Sequence, residues 1–323
     1  MRHTVAFLAY PGFQILDVTG PAAVFHEANQ LRGLAGLPPF YRIEVLSSVG
    51  GGVASSSGIE LNTRAFSRMP PSGVDTLLVA GAPEDSLRKA IGDAALRRWV
   101  PRCAAKAARF GSVCSGTFVL ASLGLLDGKR VATHWEACDA LAKVWPNLNV
   151  DRDVLYVVDG QAWTSAGVTT GIDMTLAMVG RDLDARTANE VAKRLVLYAR
   201  RPGYQSQFSP LLRAQLKDDD PFSRLIAWIQ VNLDQSLDVP GLAARVGLSE
   251  RTFFRNFTAA VGESPARFVE SVRLEAARTL LAQGQPLKTI AAEVGLPPAR
   301  LRGAFERRFG VAPRLFREMN AHW

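Results

Sequence analysis

The sequence predicts two domains of different class. Residues 1–200 read as an α/β domain, a mostly parallel sheet sandwiched by helices. Residues 223–323 read as an all-α domain with two helix-turn-helix units, and 201–222 as a linker. Three observations predict this. Short apolar runs alternate with helix-like stretches up to about residue 200. After Pro221 the pattern is helical, without a convincing strand. Two stretches of the tail, starting at Leu242 and Ile290, also align without a gap.

The strand candidates are, in order, "TVAFLAY", "YRIEVLS", "DTLLVAG", "RFGSVC", "RVATH", "DVLYVVD" and "AWTSAG". Their continuous apolar character indicates strands buried on both faces, as in a parallel sheet covered by helices. Glu84 to Ala108 and Trp135 to Trp145, rich in Ala, Leu, Arg and Lys, supply helices between them, and a long helical region from Gly171 closes the domain. "RRPGYQSQFSPLLRAQLKDDDP" has three prolines and no clear period, which makes it a linker; Asp218 to Asp220 read as a solvated turn or helix cap.

Hydrophobic residues make up 48% and charged residues 21% of the 323, the balance of a soluble globular chain. The formal charge of +8 points to a polyanionic partner. Cys103, Cys114 and Cys138 form no CxxC pair, which excludes a disulfide framework and a structural zinc site and fits a reducing compartment. "MRHTVAFLAYPGF" is too short in its apolar run for a signal peptide, and no run approaches the ~18 apolar residues of a membrane span. The expectation is a cytoplasmic protein with no membrane partner, no metal and no cofactor.

The repeat pairs "LAARVGLSERTFFRNFTAAVGESPARF" with "IAAEVGLPPARLRGAFERRFGVAPRLF", and its glycines and prolines are kept in register. In each copy a short apolar helix ends at a glycine, Gly247 or Gly295, where a left-handed cap is cheap. Ser249 is placed to cap the next helix, and Pro297 and Pro298 occupy the equivalent position in the second copy. Phe253 and Phe257, like Leu301 and Phe305, face inward by their spacing. The opposite face carries Arg251, Thr252 and Arg255 in the first copy, and Arg300, Arg302, Arg307 and Arg308 in the second. From Gly241 onward 12 Arg and one Lys stand against 7 Glu and no Asp, so +6 of the +8 lies here. Positive charge concentrated on a duplicated helix-turn-helix is the footprint of double-stranded DNA binding. The linking helix from Pro265 to Leu281 is long enough, at 1.5 Å per residue, to set the two reading helices about one DNA turn apart.

In "GSVCSGTFVL" Cys114 ends a strand where a helix begins, so backbone N–H groups favour its thiolate and its side chain sits at the carboxyl edge of the sheet. Asp17 follows the first strand, and His134 and Trp135 follow another, on what reads as the same edge. Ala166 and Gly167 are small enough to let backbone approach a guest. Trp135, with Tyr10, Phe13 or Trp163, supplies rings for a cation-binding wall.

These residues carry a family resemblance. The tail resembles the AraC-type DNA-binding domain through "IAAEVG…F…FG…P" and Arg273. By that resemblance Arg251 and Arg255 are base readers. Gly303 stands opposite Arg255, so the first unit carries more of the base readout, while Arg300, Arg302, Arg307 and Arg308 make mostly phosphate contacts. Ala6 to about Leu197 resembles the PfpI-type branch of the glutamine amidotransferase-like, flavodoxin-like fold. Cys114 matches its nucleophile-elbow cysteine, Asp17 its acidic partner and "ATHW" its histidine-bearing strand end. Ser115 stands where protease-like members carry histidine, which argues against peptidase chemistry. Together the halves resemble the GlxA-type transcriptional regulators. That resemblance implies a sensor of a small, often nitrogen-containing metabolite, a homodimer, and RNA polymerase as a further partner. Two other readings of the first domain stand beside it. One is a hydratase- or amidase-type enzyme with Cys114 as nucleophile and Asp17 as acid/base; the other is a dimerisation platform in which Cys114 and His134 are structural.

Overall fold

Five strands make the parallel centre of the first unit. They are β1 (His3–Leu8), β2 (Tyr41–Ser47), β5 (Thr76–Val79), β6 (Arg109–Val113) and β10 (Ala162–Ser165), paired in the order β2-β1-β5-β6-β10. The structure is a computed structural model and describes residues 2–152, 154–197, 200, 201, 203, 207, 221–261, 263–309 and 311–320. The chain divides into two units, Met1–Gln207 and Phe208–Trp323. Among the described residues no helix is long and apolar enough to cross a membrane.

Strands β5, β6 and β10 are buried along their whole length because each faces helices on both sides. One face packs Leu8, Leu77, Val79 and Phe110 with Val119 and Leu120 of α4 (Thr117–Ser122) and with the helices α2 (Glu84–Gly92) and α3 (Ala94–Ala104). The other packs Val5, Phe7, Leu78, Val113 and Trp163 against α1 (Ile15–Leu34), α6 (Thr170–Asp182) and α7 (Ala185–Arg194).

Several boundaries differ from the sequence expectation, each for a local reason. The stretch Glu84 to Ala108 breaks at Asp93, whose carboxylate accepts from the N–H groups of Ala95 and Leu96 and so starts a new helix. Asp184 does the same in the closing helical region by accepting from Thr187 N–H, which splits it into α6 and α7. A hairpin of β3 (Gly51–Ala54) and β4 (Glu60–Ala65) extends the sheet beside β2, although its glycines and polar residues gave no apolar run. "RVATH" was expected in the main sheet, but β7 (Arg130–Val131) pairs with β8 (Asn149–Val150) in a separate two-stranded ladder. β9 (Tyr156–Asp159) joins the main sheet antiparallel to β10. Of the expected linker, Arg201 pairs with Asp173, and the carbonyl of Gly203 accepts from Leu155 N–H, both inside the first unit. Asp218 to Asp220 lie outside the described residues.

In the second unit α8 (Pro221–Val231) starts inside the expected linker, and Phe222 is buried against Phe253 and Phe257. Then come α9 (Val239–Arg245), α10 (Glu250–Val261), α11 (Pro265–Ala282), α12 (Leu287–Glu293), α13 (Pro298–Phe309) and α14 (Pro313–Asn320). The bounds of α9 and α10 recur in α12 and α13 after the same 48-residue shift that relates Leu242 to Ile290. Gly247 and Gly295 take φ +68° and +62°, and the next N–H groups, of Leu248 and Leu296, reach back to the carbonyls of Ala243 and Ala291.

The two capping glycines differ in surroundings. A Cβ at Gly247 meets nothing within 4 Å, whereas one at Gly295 falls 2.4 Å from the Leu233 carbonyl oxygen and 2.8 Å from the Arg273 guanidinium. Arg273 already donates to the carbonyls of Leu233 and Gln235 there. Gly247→Ala is therefore expected to lose about 1 kcal/mol, the left-handed backbone penalty alone. Gly295→Ala should lose clearly more in the same urea titration of the full chain.

Candidate ligand site and nucleic-acid interface

Cys114 follows the last residue of β6 and has φ +58°, a left-handed backbone that non-glycine residues avoid at a cost of about 1–3 kcal/mol. Its surroundings hold it there. A Cβ on Gly167 would lie 2.3 Å from the Cys114 Cβ, and one on Gly81 would lie 2.8 Å from it, so both neighbours must lack a side chain. The Cys114 carbonyl accepts from the hydroxyls of Thr133 at 3.0 Å and Thr117 at 3.2 Å. Ser115 Oγ donates to the Ala82 carbonyl and accepts the Ala82 N–H. The ends of β5, β6 and β10 are thus tied at one point on the carboxyl edge, where open α/β sheets bind ligands.

Asp17 lies in the first turn of α1 and is 0% exposed. One carboxylate oxygen accepts from Gly81 N–H and the other from Val168 N–H, each at 2.9 Å. Burial pushes its pKa up to about 6, and these two N–H groups hold it from rising further. With both oxygens engaged, Asp17 supports the loops around Cys114 from behind. Ala166 and Gly167 are likewise buried, whereas Cys114, Ser115 and His134 are half-buried and Trp135 is exposed.

Burial opposes the expected bias toward thiolate. Burial pushes the Cys114 thiol up to about 12, and the nearby Asp17 charge adds to it; the Ser115 N–H and hydroxyl pull the other way without prevailing. His134 follows β7, which pairs with β8 in a separate ladder and not within the main sheet as expected. Its chain neighbour Thr133 donates its hydroxyl to the Cys114 carbonyl, and the His134 Nδ1 stands 3.7 Å from Glu136. The expected aromatic wall is also not formed. Tyr10 and Trp163 are buried, Phe13 is fully enclosed, the Tyr10 hydroxyl donates to the Ala80 carbonyl, and Arg109 and Arg181 already lie over Trp163. Only Trp135 of that set is exposed, beside the His134 ring.

In the second unit the inward residues are placed as their spacing requires: Phe253, Phe257, Leu301 and Phe305 are fully buried. That leaves Arg251 and Arg255 exposed on α10, and Arg300, Arg302, Arg307 and Arg308 exposed on α13. Thr252, expected on the DNA face, is half-buried and engaged in the cap. It donates its N–H to Ser249 Oγ and accepts the Ser249 hydroxyl. Gly303 leaves space that the Arg307 guanidinium partly covers, 3.4 Å from where a Cβ would stand. Sequence reasoning missed Phe254, which is exposed between Arg251 and Arg255; the 3.6-residue period that puts 253 and 257 inside also turns 254 outward.

Comparison with known proteins agrees with both halves. Residues 3–181 match the model of the DJ-1/PfpI family, and residues 242–319 match a helix-turn-helix domain. The HTH-type transcriptional regulator CdhR of Pseudomonas aeruginosa is 30% identical over 277 residues, covering 86% of this chain and 80% of that protein. The HTH-type transcriptional regulator GlxA of Rhizobium meliloti is 28% identical over 312 residues, 96% of this chain and 94% of the relative. The crystal structure of a ThiJ/PfpI family protein from Pseudomonas syringae superposes with a TM-score of 0.54 at 28% identity, over 62% of this chain and 78% of that one.

A thiol held protonated reacts slowly with iodoacetamide at neutral pH. Site-resolved alkylation of Cys114 should keep climbing beyond pH 10, and a plateau near the ordinary thiol value of about 8.5 would contradict the assignment. Asp17→Asn removes a charge that opposes the thiolate, so its alkylation curve should move to lower pH.

Proposed function

The chain belongs to the DJ-1/PfpI family and ends in a helix-turn-helix domain, and from that premise we propose that it is a ligand-responsive transcriptional regulator. Its second unit reads double-stranded DNA through α10 and α13. Its first unit senses a small, nitrogen-containing metabolite at the Cys114 edge. The observation that carries this reading is a backbone repeated in register that exposes six arginines, two on α10 and four on α13. Polyphosphate attracts such a surface, and the repeat gives one chain two reading helices. CdhR and GlxA, both named as transcriptional regulators, support the same role over most of the chain.

Around Cys114 the chemistry favours recognition over turnover. A nucleophile must be ionised to attack, and burial together with Asp17 disfavours the thiolate here. As a proton-bearing group Cys114 would act on a guest by shape and weak hydrogen bonding, with Ser115, His134 and Trp135 around it. Control then requires the guest to bind two arrangements of the protein unequally. A homodimer and contact with RNA polymerase belong to the same proposal.

Two experiments test it. Arg255→Ala should lose about 1–3 kcal/mol on a selected duplex and relax sequence preference, while Arg307→Ala should weaken binding to selected and random duplexes alike and flatten the salt dependence by about one unit. Equal losses on both duplexes for both variants would remove the division of labour between the units. Separately, effector-dependent change in promoter binding should vanish when residues 1–207 are deleted; a response that persists in the truncated chain would place the sensor elsewhere.

A further inference from the structure

We propose that Phe254 is a specificity-determining residue that reads the C5-methyl group of thymine in the major groove. The inference rests on the DNA reading above and deepens it. Three observations carry it.

First, Phe254 is 47% exposed, although its neighbour Phe253 and its next-turn neighbour Phe257 are fully buried. Among the described residues of the second unit it is the one aromatic side chain left so open. Exposing that much apolar surface gains nothing for folding. Second, the fold does not require an aromatic residue there. The same position in the second copy, 48 residues on, is Arg302, also exposed, on a helix with the same bounds relative to the repeat. Third, its surroundings select the partner. Arg251, Phe254 and Arg255 share one helix face by their three- and four-residue spacing, so the exposed apolar position shares its face with two exposed cationic ones. An apolar protein surface would have to desolvate both cations to reach it. A major groove offers phosphates and guanine acceptors to the arginines, and the thymine methyl offers an apolar contact for the ring.

The test uses the full-length protein and duplexes selected from a random-sequence pool. Footprinting locates the bases under α10, and each thymine there is replaced singly by deoxyuridine, which lacks only the methyl. At one or two positions the replacement should weaken wild-type binding about fourfold, equivalent to about 0.8 kcal/mol for one buried methyl-sized group. Phe254→Ala, a change at an exposed site, should bind thymine and deoxyuridine duplexes alike. Phe254→Leu, which keeps an apolar contact, should retain the discrimination. Salt-sensitive wild-type binding that ignores every replacement, or full discrimination surviving in Phe254→Ala, overturns the assignment while leaving DNA binding intact. Absence of salt-sensitive binding to any duplex overturns both.

Discussion

The architecture of the first unit turns on one buried carboxylate. Asp17 grips the N–H of Gly81 and that of Val168, which lie 64 and 151 residues away in the chain. These two bonds join the start of α1 to the loops that follow β5 and β10, and Cys114 sits between those loops under glycines too small to keep it out. A charge so enclosed is costly unless hydrogen-bonded, and its raised pKa is the sign of that cost. The strained backbone at Cys114 is held where Gly81 and Gly167 close on its Cβ and two hydroxyls bond its carbonyl.

The sequence shows the central sheet well and its margins poorly, for a physical reason. Buried strands favour short runs of apolar and small residues, so β1 and β5 stand out by composition, and β2, β6 and β10 by the apolar residues around their few polar ones. The hairpin of β3 and β4 is held by backbone pairing at the sheet edge, where Glu60, Asn62 and Arg64 are as acceptable as apolar residues. The helix breaks at Asp93 and Asp184 follow from carboxylates capping the next helix, a signal present in the letters but weaker than the apolar period around it.

At the site, identity and chemistry separate. The residues gathered around Cys114 are visible in sequence because strand ends and small residues mark them. What they do to one another is not visible, because it depends on burial. A thiol opening a short helix reads as activated, yet the same thiol beside an enclosed carboxylate is held protonated. His134 shows the same limit: its motif is clear, but the pairing of the preceding strand β7 in a separate two-stranded ladder is something no local pattern encodes. In the tail the repeat made position and exposure readable together, since period and burial coincide on an amphipathic helix.

That repeat is symmetrical in backbone and unequal in side chains. Phe254 and Arg255 of the first copy stand where the second has Arg302 and Gly303. A reader built this way has a front and a back. Turned end for end on its target, it would set each helix over the wrong bases, so the target itself must carry polarity.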